Sequence, residues 1–224
     1  MRESTSKDNN RIFAIGDIHG CYKKLETLFH RLPIDPERDF LIFMGDYINR
    51  GPESREVISY LLDIRRKTPN TVFLLGNHEY ELLEYVRTGD PENLRILRPM
   101  GVEETLSSYG ESSMRALRDL SFMPEAHKAF LNELQPYFRL NRYLFVHAGI
   151  VPGESPENCS LDRLLTVREV FLKYTEPLGA TIVFGHTPFE TPFVAPDKIG
   201  IDTGAVYGNL LTAVELPGLR FYHA

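Results

Sequence analysis

Seven side chains of the kinds that hold metal ions or move protons follow short apolar runs in this chain, each in a turn rich in glycine or histidine. Asp17 and His19 stand in "GDIHG", Asp46 in "GDYINRG", Asn77 and His78 in "GNHE", His147 in "HAG" and His186 in "GHT". Four of the seven histidines lie in these turns, whereas His30, His127 and His223 are scattered and are expected to serve packing or the surface. Carboxylate, imidazole and amide oxygen together suit a borderline-hard divalent ion such as Mn²⁺, Fe²⁺ or Zn²⁺, and the absence of a cysteine ligand argues against a closed structural zinc site. Asp17, His19, Asp46, Asn77, His147 and His186 are too many ligands for one catalytic ion that keeps positions open, so two ions are the natural count. A carboxylate oxygen bridges such a pair across roughly 3.5–4 Å, and Asp46, central in the array, is the expected bridge.

The elements that must position these residues are legible from the apolar pattern. "RIFAIGD", "DFLIFMGD", "NTVFLLGNH", "RYLFVHAG" and "ATIVFGH" are continuous apolar runs, as expected of strands buried on both faces. Between the first two, Leu25, Leu28, Phe29 and Leu32 recur at helical spacing before Pro33. Between the second and third, Val57, Ile58, Leu61, Leu62 and Arg65 repeat that spacing between Pro52 and Pro69. Strand, helix, strand, helix, strand is a right-handed crossover unit with parallel strands, so its loops leave one edge. At the carboxyl ends of such strands, side chains from position 17 to position 186 can meet in one crevice. Residues 80–135 read as a helical insertion beside the sheet, with "RTGDPEN" and "SYGESS" as loop punctuation. "IGIDTGAV" and "NLLTAVELPGLRFYHA" read as further strands of a second sheet.

Bulk properties narrow the class. A hydrophobic share of 42% with 25% charged residues is that of a packed globular domain, not of a disordered chain. We read residues 1–10 as a flexible polar leader and 11–224 as a single domain. The net charge of −6 and the lack of a basic stripe argue against a nucleic-acid partner, "RRK" at Arg65–Lys67 being the solvated end of a helix. No apolar window is long enough for a membrane helix. With only Cys21 and Cys159, a reducing, cytoplasmic setting is expected.

The ordered set "GDIHG", "GDYINRG", "GNHE", "HAG", "GHT" resembles the calcineurin-like metallophosphoesterases, in the branch of the serine/threonine phosphoprotein phosphatases and the symmetrical dinucleoside tetraphosphate hydrolases. The match runs from about Phe13 to Ala213. The resemblance implies an α/β fold of two β-sheets flanked by helices, with two divalent ions, Mn²⁺ first and Fe or Zn next, at the strand ends. It assigns Asp17, His19 and Asp46 to one ion and Asp46, Asn77, His147 and His186 to the other. Arg50 in "NRG" matches the family's phosphate-gripping arginine, and Arg168 in "LLTVREVFL", on an expected helix, resembles a second one. Both guanidinium forks suit phosphate oxygens. Asn209 stands where the family commonly has glycine, and no function attaches to that difference. The implied reaction is direct hydrolysis by a hydroxide shared between the ions, with His78 protonating the leaving oxygen.

One departure bears on that chemistry. The family typically places an aspartate at position 49, paired with the histidine of "GNHE"; here it is Asn49, which cannot supply the charge that raises the imidazole pKa. Turnover of alkyl phosphates is expected to fall by roughly 10- to 1,000-fold, and that of aryl phosphates and anhydrides by less. The first reading is a phosphomonoesterase of the serine/threonine protein phosphatase type acting on a phosphorylated protein or small molecule. The alternative is a dinucleoside polyphosphate hydrolase, with Tyr80, Tyr85 and Tyr109 of the insertion as base-stacking candidates. A reading of another class is a phosphate-binding module without catalysis, supported by Asn49 alone.

Overall fold

The computed structural model describes residues 10–224, so the polar leader, but for Asn10, lies outside the described residues. Three strands, β1 (Ile12–Ile15), β2 (Phe40–Phe43) and β3 (Thr71–Phe73), alternate with α1 (Tyr22–Arg31) and α2 (Ser54–Lys67). They run parallel, Ile12 opposite Phe40 and Leu41 opposite Thr71, as the crossover unit requires. The helical insertion follows as α3 (Asn77–Thr88), α4 (Pro91–Leu97), α5 (Val102–Ser108), a 3-10 turn (Met114–Arg118) and α6 (Glu125–Asn132). "RTGDPEN", expected as loop, instead splits between two helices. Gly89 ends α3 in the left-handed region at φ 71°, and Asp90 caps α4 by accepting the Glu92 N–H, with Pro91 in the first turn.

The remaining strands are β4 (Tyr137–Leu140), β5 (Tyr143–Val146), β6 (Thr181–Phe184), β7 (Phe193–Ala195), β8 (Lys198–Gly200), β9 (Thr212–Leu216) and β10 (Arg220–His223), with the short helices α7 (Leu161–Thr166) and α8 (Glu169–Leu172) between β5 and β6. They form two sheets of order β10-β9-β1-β2-β3 and β4-β5-β6-β8-β7. The expectation that the whole tail builds the second sheet therefore needs correcting. Of that tail only β8 does so; β9 pairs antiparallel with β1 along the edge opposite β2 and brings β10 with it.

The sheets face each other across a shared core. Ile12, Ala14, Ile42, Met44 and Leu74 of the first meet Phe145, Val183, Ile199 and Ile201 of the second. Alternate residues Phe13, Ile15, Leu41 and Phe43 point the other way, onto Leu25, Leu28, Val57, Ile58 and Leu61 of the helices. Both strand faces are buried, which is why the runs are continuously apolar. Behind the second sheet Leu144, Ile182 and Phe184 pack on Leu164 and Phe171. Among the described residues no helix is long and apolar enough to cross a membrane, and Cys21 and Cys159 are unpaired.

Candidate metal centre

Every turn that carries a predicted site residue opens at the same end of the two sheets, and backbone hydrogen bonds stitch the turns together. The Asp46 carbonyl accepts the N–H groups of Ile18 and His19 at 3.1 and 2.8 Å, and the His186 N–H donates to Asp17 Oδ2 at 2.9 Å. Close approach is built in at Gly76 and Gly185: a Cβ on either would stand 2.1 Å from a carboxylate oxygen, of Asp46 and Asp17 respectively. Left-handed backbone falls on the site residues themselves, with His19, Asp46, Asn49, Arg50 and His186 at φ between 46° and 69°. Such conformations persist only where surrounding contacts impose them, and they gather at functional sites.

Asp46 is the centre of the array. Its Oδ2 lies 3.4 Å from His19 Nε2 and 3.9 Å from His78 Nε2, while its Oδ1 lies 3.5 Å from His147 Nε2. Two compact groups result, His19 with Asp46 and His78, and Asp46 with His147 and His186, each with its ligand atoms within 4.8 Å of one another. Asn77 Oδ1 joins the second group, 3.1 Å from His147 Nε2 and 2.9 Å from His186 Nδ1. Asp17 belongs to neither compact group, although its buried Oδ1 has no hydrogen-bond partner among the described residues.

The donor set fits a pair of divalent cations. His19 and His147 pair Nδ1 with the carbonyls of Ile48 and Met44 at 3.0 and 2.8 Å, which leaves each Nε2 lone pair directed into the site. Burial lowers the His19 pKa to about 3 and that of His147 to about 4, so both rings are neutral, the form that binds a metal. Burial drives the carboxyls the other way, Asp46 to about 7 and Asp17 well above its ordinary value. Clustered carboxylates that resist ionisation beside neutral imidazoles are the arrangement that a divalent cation stabilises most.

Both arginines reach the centre. Arg50 Nη1 is 2.7 Å from His19 Nε2, and Arg168 Nε donates to His186 Nε2 at 3.0 Å. Arg168 lies not within a helix, as expected, but at the break between α7 and α8, because Val167 is extended (φ −60°, ψ 137°). Asn49 and His78 are fully buried and paired, Nδ2 to Nδ1, at 3.1 Å.

Four residues beyond the predicted set shape the site. Glu79 accepts N–H bonds from Asp46, Tyr47 and Ile48 at 2.8–3.1 Å and from Gly76 at 3.2 Å, which holds the Asp46 turn against the start of α3. Its place as third residue of α3, in a capping-box position, was the available signal. Thr105 of α5 donates to Asn49 Oδ1 at 2.7 Å and accepts the Asn49 N–H at 2.9 Å. Buried Asp202 accepts the Gly204 N–H, and Tyr207 lies against Arg50. Of the stacking candidates, Tyr85 is buried and Tyr109 spends its hydroxyl on His127 at 2.7 Å. His127 is thereby a packing residue, as expected.

With this geometry in place, residues 10–207 match the calcineurin-like phosphoesterase family. The chain belongs to that family. It is a metal-dependent phosphoesterase, and the span covers every residue assigned to the site. A symmetrical bis(5'-nucleosyl)-tetraphosphatase of Methylococcus capsulatus is 27% identical, with 92% of each chain aligned. An asymmetrical bis(5'-nucleosyl)-tetraphosphatase of Bacillus subtilis is 28% identical over 92% of this phosphoesterase and 91% of its own length. A crystal structure described as that of a candidate diadenosine tetraphosphatase superposes with a TM-score of 0.71 at 25% identity, covering 98% of this chain and 96% of that one.

Proposed function

We propose that this phosphoesterase hydrolyses a phosphoanhydride bond of a dinucleoside polyphosphate, using two divalent ions held by Asp17, His19, Asp46, Asn77, His147 and His186. The observation that carries the reading is the neutral pairing of His78. Asn49 presents an amide N–H to His78 Nδ1, so the ring keeps its proton on Nε2, an atom with no partner among the described residues. A neutral N–H is a weak acid. It suffices for a nucleotide phosphate, a weakly basic leaving group, and serves a serine or threonine alkoxide poorly. The names of the relatives support the same substrate class, whereas a phosphoprotein substrate gains no specific support from them.

In this mechanism the bound ions supply Lewis-acid charge to the phosphoryl oxygens and lower the pKa of the attacking water. Asp46, with one oxygen toward each compact group, holds the two halves of the site in register. Arg50 and Arg168 grip equatorial oxygens with planar forks and offset charge that builds as the bond to the leaving group breaks. His78 Nε2–H donates to the departing oxygen.

The test is a product assay with Mn²⁺ on diadenosine tetraphosphate and a phosphoserine peptide. Paired ADP, or AMP with ATP, at a kcat/KM above the peptide value by roughly 100-fold or more supports the reading. Faster release of phosphate from the peptide restores the protein phosphatase reading. Metal binding with neither substrate cleaved leaves a phosphate-binding module.

A further inference from the structure

Tyr207 is 62% exposed although its ring belongs to the mouth of the site. The Arg50 guanidinium lies over it, 5.4 Å from the ring centroid, and the same guanidinium reaches His19 Nε2 at 2.7 Å. The Arg50 side chain thus links the ring to the metal-ligand cluster, and much of Tyr207 is left open to solvent.

The loop that presents Tyr207 is fixed at both ends. Gly204 and Gly208 flank its 3-10 turn (Ala205–Tyr207) at φ 70° and 93°. The Gly204 N–H donates to buried Asp202 at 2.9 Å, and Lys24 Nζ donates to the carbonyls of Ala205 and Asn209. Asn209 Nδ2 donates in turn to the Glu190 carbonyl at 3.0 Å. An aromatic ring held in water on an ordered backbone incurs little further ordering cost when a flat partner docks on it. Beside an arginine poised for a phosphoryl group, the flat partner that fits is the base of the same nucleotide.

We propose that Tyr207 is the stacking platform for a nucleobase whose nucleotide phosphate is bound by Arg50. The proposal rests on the substrate class inferred above and moves the base-binding surface from the helical insertion to the loop between β8 and β9.

Calorimetric binding of AMP and of ribose 5-phosphate to the manganese-loaded full chain isolates the base contribution. AMP should bind about 5- to 100-fold more tightly than the sugar phosphate. Tyr207→Ala should bring that ratio to within about twofold, and Tyr207→Phe should keep it. Equal binding of the two ligands, a ratio unchanged in Tyr207→Ala, or an equal loss for both ligands would each overturn the platform; the last would make Tyr207 a support for Arg50. The product assay on diadenosine tetraphosphate separates the two readings. Base discrimination through Tyr207 without cleavage keeps the platform and rejects the substrate; cleavage without discrimination does the reverse.

Discussion

Asn49 Nδ2 stands 3.1 Å from His78 Nδ1, and the amide that makes this contact is locked from behind. Thr105 Oγ1 takes the Asn49 backbone N–H at 2.9 Å, which leaves its own proton for Asn49 Oδ1 at 2.7 Å. With the amide oxygen engaged there, the amide N–H faces the imidazole, and Nδ1 must be the acceptor. Burial, together with the charge of Arg50, holds the His78 pKa well below the ordinary histidine value. The position therefore retains a shaped pocket that an aspartate would also fit, with the charge removed.

Asn49→Asp should raise turnover of an alkyl phosphate by roughly 10- to 1,000-fold, because a carboxylate accepting from Nδ1–H favours the imidazolium and strengthens the acid at Nε2. The gain should be smaller on an aryl phosphate or on diadenosine tetraphosphate, whose leaving groups need less help. Comparing kcat for a phosphoserine peptide and an aryl phosphate checks this; equal gains, or none, would refute the role given to His78.

Glu79→Leu should destabilise the fold by at least about 3 kcal/mol, since buried N–H donors left without an acceptor cost about 1–3 kcal/mol each. The donors are those of Asp46, Tyr47, Ile48 and Gly76, so the Asp46 turn should loosen and manganese binding should weaken with it. Glu79→Gln, which keeps one acceptor oxygen, should recover part of both. Urea unfolding midpoints and metal titrations measure the two effects, and a Leu variant as stable as the parent would be incompatible with this role.

Metal affinity should decline as pH falls through about 7. Asp46 is held up to about 7 by burial, so below that pH it carries a proton that an ion must displace. His19 and His147, depressed to about 3 and 4, are already neutral there and add no such dependence until far lower pH. The expected slope is at least roughly tenfold per pH unit between pH 7 and 5, because Asp17, also raised by burial, adds to the dependence on Asp46. Manganese titrations across that range check it; affinity flat down to pH 5 would contradict the ligand role proposed for Asp46.

Much of the fold and site was legible along the chain. Apolar runs such as "DFLIFMGD" mark strands buried on both faces, and a crossover unit sends the turns after β1, β2 and β3 to one edge, so Asp17, His19, Asp46, Asn77 and His78 were bound to meet. Partners contributed by distant segments were less legible. Thr105 is 56 positions from Asn49, and nothing in its helix distinguishes it from an ordinary core threonine. Likewise β9 reads as one more strand of the tail, and only its pairing with β1 puts it in the first sheet.

The sequence by itself determined which ligand-type residues gather at the strand ends, because such side chains in tight turns after apolar strands follow from local pattern and from the fixed hand of strand crossovers. The tertiary structure alone decided how those residues are tuned. That Glu79 pins the Asp46 turn, that Thr105 turns the Asn49 amide toward His78 and that Tyr207 lies exposed against Arg50 all depend on contacts between segments far apart in the chain, whose register is set by packing rather than by local preference.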